Sequence, residues 1–279
     1  MGHKNKESLV YQIKKTLDTK LAIGQSKHAA KKAGVAHKYI YSWSTYRAYM
    51  QHANYFSKYC KEVHRCRTLA DCRQYVDEWL ASRANLSAYT QKLEASALAK
   101  LYDCKTTDFV QTGVRHRADI IRSRGEKIRD SHFSEAKNHE FVEFCRATGL
   151  RRSELMALRG SQGHFKGSNF YLRVKGKGGR FRDALVLDNA VIERIQAAGN
   201  NKVWDKIPNG ADIHSYRADY CTAIYNKFAR QREDIPPEDR YCCRGDLAGT
   251  WYDKPAMLIA SEMLGHNRIS VIAGHYLRS

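Results

Sequence analysis

Only four prolines occur in the 279 residues of this chain, and Pro208, Pro236, Pro237 and Pro255 all fall late in it. A proline inside a helix removes a backbone donor, and its ring strikes the preceding turn. Everything before Pro208 is therefore open to long helices, and the apolar spacing uses that freedom. Ile13, Leu17 and Leu21 recur every four residues. Tyr49, Ala53, Phe56, Cys60 and Val63 trace a second helical stripe, and Leu69, Cys72, Val76 and Trp79 a third behind a capping Thr68. A fourth helix starts near Ser87 and carries Tyr89, Leu93, Ala97 and Leu101 on one face. Residues 1–113 thus read as a small helical domain.

The next segment, VRHRADIIRSRGEKIRD, spans residues 114–130 and crowds Arg115, Arg117, Arg122, Arg124 and Lys127 into a stretch with little apolar periodicity. That is the pattern of a basic linker. Beyond it, SEAKNHEFVEFCRATG predicts a helix with Phe141, Phe144 and Cys145 inward and Gly149 at its close. SNFYLRVKGKGGRFRDALVL alternates Phe170, Leu172 and Val174 on one face and turns through GKGG, as a hairpin does. The remainder reads as helical around one irregular, charged insert, REDIPPEDRYCCRGD. The expected fold is mainly α with a small β-hairpin or sheet (α+β), its second domain spanning 131–279.

Charge narrows the partner. The chain has 48 Lys+Arg against 29 Asp+Glu, a formal net charge of +19, which suits a polyanion better than a small acidic metabolite. No run approaches the roughly 18 apolar residues of a spanning helix, and the N-terminus lacks the apolar centre of a secretory signal. A protein of the cytoplasm, associated with the nucleoid, is expected. Eight scattered cysteines in a chain of this size point to buried thiols rather than a disulfide framework. Cys60, His64, Cys66 and Cys72 match no paired zinc spacing, and no phosphate-cradling glycine loop occurs, so neither metal nor cofactor is expected.

Within residues 147–160, ATGLRRSELMALRG sets Arg151 and Arg152 directly after a Thr-Gly-Leu break. A helix entrance that only had to pack would carry apolar residues, whereas a guanidinium offers a planar fork of donors suited to two phosphate oxygens. Four strings then follow in order: TGLRRSEL, VKGKGG, HSYR at 214–217, and LGHNRISVIAGHY at 264–276. Together they resemble the catalytic domain of the tyrosine recombinases, the integrases of phages and mobile elements, over about the last 160 residues. The helical part before them is similar in kind to that family's core-binding domain.

The resemblance implies a site-specific enzyme that cleaves and rejoins double-stranded DNA through a 3′-phosphotyrosine, without a nucleotide cofactor, to integrate and excise a mobile element. It implies assembly as a multimer on DNA, a tetramer. Arg151 and Arg217 match the two phosphate-binding arginines, and Tyr276 the nucleophile. His214 matches the histidine beside it, and His266 the last donor to the phosphate. Glu154 resembles the acid that holds an arginine in place. Lys177, in the Gly-Lys-Gly string, matches the lysine that protonates the departing 5′ oxygen, ahead of Lys175 at the strand's end. Arg152 lies roughly 100° round the helix from Arg151, so it is expected at the DNA backbone or in solvent, and the linker cations are expected on DNA as duplex is gripped between the domains. Two other readings are a type IB topoisomerase-like enzyme and a non-catalytic DNA-binding relative. The sequence departs from the family pattern at Ala218, where many members have another histidine, and in the long stretch from Arg217 to His266.

Overall fold

Small hydroxyl side chains start most of the N-terminal helices. In the computed structural model, which describes residues 7–116, 133–176, 179–266 and 268–277, Ser8 caps α1 (Leu9–Asp18), Ser26 caps α2 (Lys27–Lys32) and Ser42 caps α3 (Trp43–His64). Thr68 and Asp71 form a reciprocal capping box on α4 (Leu69–Cys72), and Ser87 caps α6 (Ala88–Leu101). Between these lies α5 (Val76–Ser82), separated from α4 by a 3₁₀ turn at Arg73–Tyr75. The described residues divide into two compact units, before and after the segment 117–132.

In the first unit Ile13, Leu17, Phe56, Cys60, Cys72 and Leu98 form the centre of the core. Cys60 and Cys72 are fully buried, as small apolar residues would be. Three sequence expectations fail at their edges. Leu21 lies beyond α1 and bridges to Ile40, Val63 is 57% exposed at the last turn of α3, and Tyr89 is 40% exposed. Ala97 and Leu101 are buried as expected, but the buried side of α6 is wider and runs also through Gln91, Glu94, Ala95 and Leu98, because the helix packs against both α3 and α5. Glu94 tolerates complete burial since Arg83 donates to both its oxygens and His52 lies 3.3 Å away. Arg115 is exposed, its guanidinium 5.5 Å from the Tyr89 ring centre. Arg117, Arg122, Arg124 and Lys127 lie outside the described residues.

The second unit begins its helices with α7 (His139–Thr148), whose buried face holds Phe141, Phe144 and Cys145. A short α8 (Arg152–Ala157) leads into an antiparallel sheet of β1 (Gly163–Lys166), β2 (Asn169–Lys175) and β3 (Phe181–Leu185), in that order. The hairpin expected at 168–187 is β2–β3, in register Lys175 to Phe181; β1 was not foreseen, because its four residues are too few to show alternation. Phe170, Leu172 and Val174 face inward. Then come α9 (Asn189–Ala198), α10 (Ile213–Phe228), α11 (Lys254–Leu264) and α12 (Ser270–His275).

The insert before α11 is more regular than its charge suggests. Within it β4 (Arg240–Cys242) pairs with β5 (Trp251–Asp253). Arg232 and Arg240 each sit 4.5 Å from the Trp251 ring centre, and Arg230 clamps Asp253 through both nitrogens of its fork. The fold is mainly α with small antiparallel sheets. Among the described residues no helix is long and apolar enough to cross a membrane.

Candidate active site

Two helix ends and one helix face meet here. The chain leaves α7 through Gly149 at φ +58, a conformation that favours glycine, and a side chain there would run into the Tyr220 ring. Leu150 is fully buried, which fixes Arg151 as the N-cap of α8. Glu154, three residues on, turns back: its Oε2 accepts the Arg151 backbone N–H at 2.7 Å, and its Oε1 accepts Arg151 Nη1 at 2.8 Å. The acid therefore holds both the main chain and the side chain of Arg151.

The same carboxylate takes a second arginine that the sequence reading missed. Arg182, on β3, donates Nη1 and Nη2 to the two oxygens of Glu154, each at 2.8 Å, and Nε to the Met263 carbonyl at 2.8 Å. Burial alone would raise the Glu154 pKa, but the hydrogen bonds and charge of Arg182, then those of Arg151, outweigh it and hold the carboxyl at about 2. A signal was present in the sequence. Arg182 occupies the inward phase of a strand whose next inward residue is Ala184, and a cation there needs a buried partner.

The end of α11 joins the two expected arginines. Gly265, at φ +67, closes the helix, and the Leu264 carbonyl accepts Arg151 Nη2 at 3.2 Å and also Arg217 Nη2. Arg217 Nη1 donates to the Gly149 carbonyl. Its Nε lies 3.4 Å from the Tyr276 hydroxyl, to which it donates. Arg217 is 1% exposed, and burial, with the nearby charges of Arg151 and Arg182, lowers its pKa to about 10 although Tyr276 pulls the other way. It stays charged at neutral pH.

Tyr276 sits just past α12 and is 4% exposed. The His214 ring centre is 5.4 Å from its own and that of His266 5.1 Å. His266 is positioned by its backbone, which donates to Ser261 O and accepts from Ser261 Oγ. Burial first, then Arg217, Arg151, Arg182 and His214, depress its pKa to about 4, so the ring is neutral near pH 7; its Nε2 is buried with no hydrogen-bond partner. Arg151, Arg152, His214 and Arg217 line a cavity of about 300 Å³.

Five of the expected residues, Arg151, His214, Arg217, His266 and Tyr276, thus come together, with Glu154 beneath Arg151. Arg152 does something other than was expected of it: Nη2 donates to the carbonyls of Pro208, Asn209 and Ala211, so it ties down the chain entering α10. Lys175 is exposed at the end of β2, with Nζ 5.9 Å from the Phe181 ring centre. Lys177 lies outside the described residues.

No family model and no curated protein matches this sequence. Solved structures do match in fold. The chain is similar to the XerH site-specific recombinase bound to palindromic difH substrate in a post-cleavage complex, at 15% identity and a TM-score of 0.56, over 98% of this chain and 94% of that one. The pre-cleavage complex of XerH with difH gives 15% identity and 0.53, over 97% and 92%. The chain has the fold of the tyrosine recombinases.

Proposed function

We propose that this protein is a site-specific DNA recombinase that cleaves and rejoins strands through Tyr276, and that it integrates and excises a mobile element as a multimer, a tetramer, on duplex DNA. The observation that carries the reading is the meeting of a buried tyrosine with Arg217, 3.4 Å from its hydroxyl, and with Arg151 through the shared Leu264 carbonyl. A phosphodiester attacked in line gathers charge on its non-bridging oxygens, and preorganised cations stabilise that charge. Arg151 and Arg217 supply them.

The Tyr276 oxygen forms the new bond to phosphorus while the bond to the 5′ oxygen breaks. The phenol gives its proton to His214. Lys177 gives one to the departing 5′ oxygen. His266, neutral, donates its Nε2–H to a phosphate oxygen. The phosphotyrosine keeps the energy of the phosphodiester, so attack by a 5′ hydroxyl of another strand reverses the step without a cofactor.

Tyr276→Phe tests this. The variant removes one hydroxyl and little packing, and is expected to bind duplex DNA as wild type does yet form no covalent adduct on denaturing gels. Adduct formation by the variant at the wild-type rate refutes the assignment.

A further inference from the structure

We propose that Arg182 is a positioning residue for strand cleavage: it neutralises Glu154 and so leaves the charge of Arg151 available to the DNA phosphate. The inference rests on the recombinase reading and extends it to a residue that reading does not include. Glu154 has one negative charge and two arginines. Arg182 takes both oxygens with its fork at 2.8 Å, while Arg151 reaches the carboxylate with one side-chain nitrogen. With Arg182 in place the trio carries a net positive charge. Without it, Glu154 and Arg151 cancel, and the cation at the cavity is quenched by its own support.

Arg182 does not itself reach substrate. It is 9% exposed, and all three of its donor nitrogens are engaged within the protein. Its contacts also fix geometry. Nε holds the Met263 carbonyl, one residue before the Leu264 carbonyl that joins Arg151 and Arg217. Gly265 lies so close that a side chain there would come within 2.8 Å of Arg182 Cδ. On β3 it pairs with Val174, one step from the Lys175–Phe181 end of the β2–β3 ladder. One side chain therefore touches the segments bearing Arg151 and His266. The nearness of its charge is felt at both Arg217 and His266.

The test compares Arg182→Gln with wild type on two substrates. Nicked duplexes of randomised central sequence are offered to the wild-type chain, and those captured covalently supply the target. The scissile linkage is then made either as the phosphodiester or as a methylphosphonate, in which one charged non-bridging oxygen is replaced by a methyl group. Arg182→Gln is expected to cleave the phosphodiester on the order of 100-fold slower than wild type. On the neutral methylphosphonate, where less charge needs stabilising, the deficit is expected to shrink to about tenfold or less. The comparison of the two deficits does not depend on what fraction of the variant is folded. An equal deficit on both substrates, as a merely structural role gives, overturns the inference.

Should Arg182→Gln fail to fold, Arg182→Met, which also removes the charge and keeps the apolar stem, is expected to show the same selective deficit; an equal deficit again overturns it. Capture of DNA by wild type together with unimpaired Arg182→Gln overturns the inference alone. No capture by wild type overturns the recombinase reading and the inference with it.

Discussion

Glu154→Ala is expected to destabilise the second unit by about 3–5 kcal/mol, the cost of breaking a buried ion pair and stranding the remaining charge. The carboxylate is 6% exposed and accepts four hydrogen bonds of 2.7 to 2.8 Å, so its removal leaves the Arg182 fork, itself 9% exposed, without an acceptor of opposite charge. Titration gives the same scale by another route. The folded-state pKa of about 2 lies below the ordinary 4.5, so the carboxylate's contribution is fully present above pH 4.5 and is lost as pH falls toward 2. That difference corresponds to on the order of 3 kcal/mol.

Hydrogen exchange of peptides covering α8 and β3 measures the opening free energy of this unit without interference from the other. In wild type the protection of these peptides is expected to fall as pH drops from 4.5 toward 2, after correction for intrinsic exchange. Glu154→Gln, which keeps the size and loses the titration, is expected to flatten that fall. A cost below about 1 kcal/mol for Glu154→Ala, or the same pH dependence in Glu154→Gln, refutes the reasoning, because it means that water reaches Arg182 as readily as the carboxylate does.

Other expectations concern DNA. Affinity for nonspecific duplex is expected to fall steeply with salt, at a log–log slope of about −0.9 for each phosphate neutralised, and a flat response in filter binding contradicts the use made of the +19 charge. Adduct formation is expected to survive EDTA, since arginines and a lysine supply the charge that a cation gives in metal nucleases; loss restored by Mg²⁺ and not by spermidine points to another mechanism. Lys177→Ala is expected to be inactive on ordinary DNA and active on a 5′-phosphorothiolate, whose thiol of pKa near ~8.5 leaves without a proton. Rescue of Lys175→Ala in its place moves the general acid by two residues.

The helical N-terminal unit was legible because capping hydroxyls and apolar stripes are local signals: Ser87, Thr68 and the Ile13–Leu17 pair each stand where their spacing requires. Edges were less legible. Leu21 continues the four-residue spacing of α1 yet belongs to a bridge with Ile40, a partner 19 positions away that periodicity does not see. At the site, Arg151, His214, Arg217, His266 and Tyr276, all in short ordered strings, come together, whereas the carbonyl contacts of Arg152 were not foreseen and Arg182 was missed. Their partners explain why. Arg152 is held by carbonyls near Pro208, and Arg182 by Glu154, 28 residues earlier, so nothing next to either of them in sequence announces the contact.

Arg182 and Arg217 show how one fold makes two buried arginines unlike. Arg182 faces a carboxylate and is neutralised. Arg217, more deeply buried, donates to the carbonyls of Gly149 and Leu264 and to the hydroxyl of Tyr276, and among the described residues to no carboxylate. Both carbonyls stand at helix C-termini, where the helix dipole is negative and cations are favoured. Glycines at positive φ end those two helices, so the orphan carbonyls remain free to accept. Helix ends solvate the guanidinium without cancelling it, while burial lowers its pKa. A cation kept charged and uncompensated in this way attracts an anion more strongly than one already paired, and the oxygen it already touches is that of Tyr276. The same two glycines that close α7 and α11 therefore set up the charge beside the hydroxyl, and a substitution at either is expected to disturb the site: at Gly149 the new side chain strikes the buried ring of Tyr220, and at Gly265 it comes within 2.8 Å of Arg182 Cδ.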